Sequence, residues 1–259
     1  DALYGAAGYH LYLIRPGIYQ FQSRGHGCHV YLIIGEKFNV LIDSGLISMF
    51  PSFNYLLTTE IGMRAEDINW IINTHEHFDH ISTNCFFSCP IAAHRRAATK
   101  IQNADELITK AKKHSVDMED FRVDFWLENG NIFNLGNFQL EVIETPGHTS
   151  GAICLYEPEQ HFMFTGDTLF EGAVTNVYES GSISEVINSL KILNRLKINS
   201  IFPGHGRAVY GYDNVQKEID TALDRAKNDL DNYIERVESK PLEDAQIPPS
   251  LYNREDTGL

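Results

Sequence analysis

Short apolar runs, each closed by turn residues, set the rhythm of this chain. Tyr9–Ile14 and Gly17–Phe21 are β-type runs separated by Arg15-Pro16, which predicts an opening hairpin. Cys28–Ile34 and Phe38–Ile42 flank Gly35-Glu36-Lys37 and predict a second hairpin, apolar enough to be buried on both faces. Ser48 to Ile61 carries apolar residues at helical spacing, with Gly62 as its stop. Ile68–Asn73 reads as a strand, Ile81–Ser88 as a helix ending before Pro90, and Pro90–Ala93 as a short strand. Asp105–His114 reads as a helix whose basic residues come late, as the helix dipole prefers. Ser115 to Gly130 has no clear period, and its Phe121, Phe125 and Trp126 are expected to fold onto the core rather than line a pocket.

From Asn131 the β signals resume with Phe138–Ile143, Ala152–Tyr156 and Phe162–Phe164. Ser182–Leu196 is an amphipathic helix with Ile183, Val186, Ile187, Leu190, Leu193 and Leu196 on one face, and Ile198–Phe202 is a short strand. Val215–Val237 is a long charged helix expected to lie against the body, and a polar tail with Pro241, Pro248 and Pro249 follows Lys240. Strand and helix alternate, which fits two sheet-plus-helix halves. The expected organisation is one domain over residues 1–259, with a core at about 9–210 and a C-terminal helix and tail at about 211–259.

A local grammar recurs within this pattern. An apolar strand ends, a turn follows, and His or Asp stands at or beside the turn: Asp43-Ser44-Gly45, His75 to His80, Pro146-Gly147-His148, Gly166-Asp167-Thr168 and Pro203-Gly204-His205. Ligand-type residues on strand-end loops can converge on one open face while the strands stay rigid. The densest cluster, Thr74-His75-Glu76-His77-Phe78-Asp79-His80, brings three imidazoles and a carboxylate within six residues of a buried strand. That spacing points to a metal site. Glu76 alternates away from the imidazoles and is expected to face solvent or to support a ligand, not to act as a base.

Composition narrows the function classes. The chain has 259 residues, 43% of them hydrophobic, enough for one substantial core. Its 21 Lys plus Arg against 35 Asp plus Glu give a formal charge of −14, and no basic block occurs, so nucleic acid and anionic membrane are disfavoured as partners. No run of about 18 apolar residues is present and the start lacks a basic-then-apolar segment, so the expectation is a soluble, cytoplasmic protein. Cys28, Cys85, Cys89 and Cys154 form no Cys-x-x-Cys pair and are expected to be free thiols, with Cys85 and Cys89 a helical turn apart.

Taken together, His75-x-His77-x-Asp79-His80, Pro146-Gly147-His148-Thr149-x-Gly151, Thr165-Gly166-Asp167-Thr168, Pro203-Gly204-His205-Gly206 and Leu41-Ile42-Asp43-Ser44-Gly45 resemble the metallo-β-lactamase-fold superfamily. The resemblance spans roughly residues 9–210. It implies an α/β (α+β) fold: a four-layer αββα sandwich with a C-terminal helix and a two-metal site along one edge of its sheets. Carried over, His75, His77 and His148 would hold the first metal, Asp79, His80 and His205 the second, and Asp167 would bridge them. Asp43 would orient an imidazole from behind. The expected cofactor is a pair of divalent ions, zinc in the first instance, with iron or manganese as alternatives. A hydroxide shared by the two would be the nucleophile, with Asp79 orienting it.

Within that superfamily the ligand set is similar to the glyoxalase-II-like group, and Gly166-Asp167-Thr168-Leu169-Phe170 strengthens the similarity. The chain lacks the Gly-Arg element often found after that motif and a basic glutathione-binding cluster. The expectation is therefore a dinuclear hydrolase of an ester, thioester or lactone acting on a small-molecule acyl substrate, and not glyoxalase II itself. Acyl-homoserine-lactone lactonases are the first alternative; they commonly carry Tyr three residues after the bridging Asp, where this chain has Phe170, with Tyr156 or Tyr178 as substitutes only if the fold turns one inward. An iron-dependent persulfide dioxygenase is the alternative from another class. The remaining histidines, His10, His26, His29, His94, His114 and His161, are expected at the surface or in packing, with His26 and His29 bordering the cleft. Pocket walls are expected around residues 46–60, 115–130 and 170–182, and the last helix is expected to cover the cleft or bury a homodimer interface.

Overall fold

The computed structural model describes residues 8–103, 105, 121–172, 175–177 and 180–238. Two sheets stack face to face. The first runs β1 (Tyr9–Arg15), β2 (Ile18–Ser23), β3 (Val30–Ile34), β4 (Asn39–Ile42), β5 (Trp70–Asn73), β6 (Ile91–His94) and β7 (Phe125–Leu127), each beside its predecessor. The second comprises β8 (Ile132–Asn134), β9 (Gln139–Glu144), β10 (Ile153–Glu157), β11 (Phe162–Gly166), β12 (Ser200–Pro203) and β13 (Val209–Tyr210), again in chain order.

The predicted double burial of β3 follows from the two-residue period of a strand. Tyr31 and Ile33 enter the core between the sheets with Phe162, Phe164 and Phe202, while Val30 and Leu32 face the helix layer outside. That outer layer is α1 (Phe50–Leu56), which buries Phe53, and α3 (Arg95–Gln102), which lays Ala97, Ala98 and Ile101 against Phe78, Ile81 and Ala93; the short α2 (Phe78–Ile81) lies between them. On the second sheet, α4 (Ile183–Leu193) and α5 (Tyr212–Glu238) bury Val186, Leu190, Leu193, Val215, Ile219 and Ala226 over Ile143, Met163 and Ile201. The order is helix, sheet, sheet, helix, as the resemblance implied, with α5 as the C-terminal helix. None of the described helices is long and apolar enough to cross a membrane.

Three local expectations change. The helix anticipated over Ile81–Ser88 is only α2 and a 3-10 turn at Asn84–Phe86. Ser82 and Thr83 donate to the carbonyls of Gly45 and Ser44, and Asn84 pairs with Asn73, so side chains pin this segment to strand ends and prevent a continuous helix. Helix α3 has no counterpart in the pattern reading, because Arg-Arg-Ala-Ala-Thr-Lys-Ile-Gln offers one large apolar residue; the helix expected at 105–114 lies outside the described residues apart from Asp105. Phe121 is buried as expected, but Phe125 and Trp126 on the edge strand β7 are more than half exposed.

Strand direction positions the site. β4 and β5 run parallel, so Asp43 and Thr74 leave the first sheet at the same edge. In the second sheet β11 and β12 are parallel, and β9 points the same way because it is antiparallel to β10, itself antiparallel to β11. The loops after β9, β11 and β12 therefore open onto one edge. Cross-sheet bonds close it: Ile153 N to Thr74 O at 2.9 Å, His29 N to Gly204 O at 2.7 Å, and Tyr31 Oη to Pro203 O at 2.6 Å.

Candidate metal centre

The seven side chains that the resemblance assigns to a metal centre come together at that edge. His75 Nε2 and His148 Nε2 lie 3.1 and 3.0 Å from His77 Nδ1, so three imidazole nitrogens face one point. Asp79, His80 and His205 form a second group, with His205 Nε2 at 3.3 Å and His80 Nε2 at 3.8 Å from Asp79 Oδ2. Asp167 stands between the groups. Its Oδ2 is 3.5 Å from both His148 Nε2 and His205 Nε2, and its Oδ1 is 3.4 Å from His80 Nε2. Gly204 allows this closeness, since a Cβ there would meet Asp167 Oδ1 at 2.5 Å and His80 Cε1 at 2.8 Å.

The backs of the rings are held. Asp43 Oδ2 accepts from His80 Nδ1 at 2.8 Å, which puts the proton on Nδ1 and turns the Nε2 lone pair toward the centre. The same carboxylate accepts from Thr74 N at 2.7 Å and Thr74 Oγ1 at 2.8 Å. Asp43 sits at φ +56°, in the left-handed region that Asp tolerates better than most residues. His148 Nδ1 lies 2.7 Å from Asn176 O and 3.0 Å from Thr175 Oγ1, and Thr74 Oγ1 is 3.1 Å from His75 Nδ1. His29, expected to border the cleft, supports the last loop: its Nε2 is 2.8 Å from Gly206 O while Nδ1 accepts from Ser23 N.

Electrostatics separate the two groups. Burial, reinforced by neighbouring imidazoles, holds His75 well below the usual histidine range and His77 at about 3, so these rings are neutral. His148 is lowered, chiefly by burial. At His80 burial acts in the same sense but is outweighed by the negative groups around it, Cys28, Asp43, Asp167 and Asp79, and the imidazole is held well above its ordinary value. Because burial keeps the Cys28 thiol neutral up to about 12, the three carboxylates supply that effect near neutral pH. His205 is raised against burial by the Asp79 bond and by Asp167. Burial would raise Asp79 and Asp167, yet the imidazoles prevail and both carboxyls stay below their ordinary range.

The donor set passes a direct test of fit. His80 Nε2 and Asp167 Oδ1 are buried, face the centre and make no hydrogen bond; their shortest ion pair is the 3.4 Å one between them, so both retain bonding capacity toward the centre. Ionised carboxylates and the lowered imidazoles of His75, His77 and His148 are already in the forms that bind divalent cations, whereas His80 and His205, raised by the carboxylates, would release a proton on binding one. Two groups that share Asp167 can hold two such ions, and Asp79 and His205, a quarter and a third exposed, leave one side open.

Lys100 and Ser180 had no counterpart in the sequence reading, and Glu76 was expected either to face solvent or to support a ligand. Glu76 is not at the solvent surface: it is fully buried, its Oε1 is 2.5 Å from Lys100 Nζ, and Thr149 Oγ1 donates to its Oε2 at 3.0 Å. Lys100 also donates to Ser150 Oγ at 2.7 Å and Ser180 Oγ at 2.8 Å. Nothing in the spacing of Lys100 or Ser180 marks them. Tyr156 does not turn inward; its hydroxyl donates to Lys197 O at 2.8 Å, whereas Tyr178 lies outside the described residues. Phe170 does lie near the centre, with its ring 6.3 Å from that of His205. Helix α5 binds the loop after Asp167 through Glu218 and Arg225, which meet Gly172. All four cysteines are free.

Comparison with known proteins agrees with this geometry. The profile of the metallo-beta-lactamase superfamily matches residues 23–205. The chain is 31% identical over 207 residues to the probable metallo-hydrolase MJ0888 of Methanocaldococcus jannaschii, covering 73% of this chain and 92% of the relative. It is 26% identical over 218 residues to the acyl-coenzyme A thioesterase MBLAC2 of Bos taurus, covering 73% and 78%. To the hydroxyacylglutathione hydrolase of Pelagibacter ubique it is 26% identical over 226 residues, covering 87% and 84%. Among solved structures, the metallo-beta-lactamase family protein TTHA1429 of Thermus thermophilus superposes with a TM-score of 0.71 at 19% identity, over 85% of this chain and 82% of that one. TTHA1623, solved in a di-iron-bound form, superposes with a TM-score of 0.58 at 26% identity, over 71% and 89%.

Proposed function

The chain belongs to the metallo-beta-lactamase superfamily, and from that premise we propose that it is a dinuclear metallo-hydrolase of acyl thioesters. The observation that supports the reading is Asp167, whose Oδ2 lies 3.5 Å from both His148 and His205, one from each donor group, while its Oδ1 lies 3.4 Å from His80 of the second. His75, His77 and His148 would hold one divalent cation and Asp79, His80 and His205 the other, with Asp167 contributing to both. Zinc suits this nitrogen and oxygen set, and iron, bound in the similar TTHA1623, is the alternative. When bound, the cations supply Lewis acidity toward the acyl oxygen and lower the pKa of water toward neutrality.

The chain's own groups do the rest. Asp79, the more exposed of the two central carboxylates and held ionised, accepts a hydrogen bond from the attacking water at Oδ2 and so aims its lone pair at the acyl carbon. Asp43 keeps the His80 proton on Nδ1 throughout. The buried thiols do not compete as nucleophiles: burial holds Cys28 and Cys154 neutral up to about 12 and about 11, and both are inaccessible. A departing thiolate, with an ordinary thiol pKa near ~8.5, leaves without prior protonation, so the reaction needs no dedicated acid opposite Asp79.

Thioesters are favoured over lactones for two reasons. Two of the similar proteins are named as a thioesterase and a hydroxyacylglutathione hydrolase. Phe170 also offers no hydroxyl beside His205, and the Tyr156 hydroxyl is committed to Lys197. The test is a panel of acyl-coenzyme A, S-acyl-glutathione, oxygen-ester and lactone substrates, run with chelator and after re-addition of zinc. Thioester turnover that disappears on chelation and returns with zinc is expected. Lactone opening without thioester cleavage would substitute the lactonase reading, and oxygen uptake by a protein holding a single iron would substitute the dioxygenase reading.

A further inference from the structure

We propose that Lys100 and Glu76 are positioning residues that hold the three-histidine half of the centre in register. The inference rests on the metal-binding reading above and adds residues to it. Glu76 is fully buried between His75 and His77, and its pairing with Lys100 Nζ at 2.5 Å fixes the backbone that carries both rings. From the other side, Thr149 Oγ1 donates to Glu76 Oε2, and Lys100 donates to Ser150 Oγ; these two residues directly follow His148. Lys100 also reaches Ser180 Oγ, which accepts from Ser150 N at 3.3 Å. One ammonium and one carboxylate thus tie together the two loops that bring His75, His77 and His148 to a common point, and anchor them to α3.

Among the described residues, no comparable tie reaches the other half. His80 is held by Asp43, and the His205 loop is held by His29 and the Gly204 N to Gly166 O bond. The pair is therefore expected to act on one cation and not on both. A buried ion pair contributes little net stability compared with apolar residues of similar size, yet removing one partner strands the other. A chain that keeps such a pair between two ligand loops gains a fixed geometry from it. Groups that orient metal ligands typically change affinity by about 10–100-fold when replaced.

The experiment uses the full chain, stripped of metal and titrated with zinc by calorimetry, with thermal unfolding of the metal-free protein alongside. Lys100→Met is placed in a His205→Ala background, which leaves the three-histidine group, and in a His148→Ala background, which leaves the other. Zinc affinity should fall about 10–100-fold in the first background and stay within about twofold in the second. Because Lys100→Met strands a buried carboxylate, Glu76→Met/Lys100→Met and the milder Ser180→Ala are measured too. The double substitution should recover the unfolding temperature of the metal-free protein while zinc remains weakened in the three-histidine background. Equal losses in both backgrounds, or recovery of zinc affinity together with stability, would overturn the proposal. Wild-type protein that takes up no zinc or iron at all would instead overturn the metal reading itself.

Discussion

Asp43→Asn isolates the job of a single carboxylate oxygen. Asp43 Oδ1 accepts from Thr74 N, and Oδ2 accepts from Thr74 Oγ1 and His80 Nδ1, at 2.7, 2.8 and 2.8 Å. An amide of the same shape can keep the first bond, but its NH2 then meets two donors where Oδ2 stood. Turned the other way, the NH2 confronts the Thr74 backbone N–H. The Thr74 hydroxyl has an outlet, because it can rotate and accept from the new NH2. His80 has none, and relieves the conflict only by giving up its Nδ1 proton and keeping one on Nε2, the atom that faces Asp167. One charge-assisted bond is lost outright, about 1.5–3 kcal/mol of stability in the metal-free protein. The wrong tautomer should weaken the Asp79–His80–His205 cation by about 10–100-fold while sparing the three-histidine cation. Urea unfolding of the metal-free protein measures the first figure, and zinc titration in a His148→Ala background measures the second. Zinc binding as tight as that of the unsubstituted background, despite the loss of stability, would refute the tautomer argument and leave Asp43 a purely structural group.

Other expectations follow from the same contacts. Gly181→Ala should separate the His148 loop from the start of α4, since its Cβ would lie 2.1 Å from Gly147 O and 2.5 Å from His148 O; thermal unfolding should show a large stability loss, and unchanged unfolding would refute the contact. In the fold the Cys28 thiol ionises near 12, whereas in the unfolded chain it ionises near its ordinary value of 9.0. Its contribution is therefore complete below pH 9 and declines as pH rises toward 12. Urea-derived stability should fall over that window, and Cys28→Val should flatten the slope. Cys28 and Cys154, both fully buried, should label with a thiol reagent only after unfolding, as mass spectrometry of trapped peptides would report. Phe170→Tyr should raise lactone turnover relative to thioester turnover by supplying a hydroxyl near His205, and an unchanged ratio would remove that residue from substrate choice.

How far the sequence could carry this depended on the range of each interaction. The longer strands and the amphipathic helix α4 were legible because their apolar positions repeat at the periods of the elements themselves, whereas the short β7, β8 and β13 match no predicted run. The seven central residues were legible through their motifs, which resemble those of the superfamily and follow strand-like runs; Asp79 and His80 themselves lie in α2, beyond the end of β5. For Glu76, alternation correctly turned it away from the imidazoles, and of the two settings expected there it takes the buried one, against α3 and the His148 loop rather than water. Lys100 and Ser180 could not be found by spacing, because they meet Glu76 only after the chain has closed over separations of 24 and 104 residues. The segment after α2 failed as a helix because the partners of Ser82 and Thr83 are carbonyls almost 40 residues earlier.

The central claim is that Asp167 stands between two cations, one on His75, His77 and His148 and the other on Asp79, His80 and His205. Anomalous diffraction from crystals of the metal-loaded protein, recorded at the absorption edge of the metal it carries, tests this directly. Two peaks flanking the Asp167 carboxylate are predicted. A single peak, or none among these seven side chains, would contradict the account.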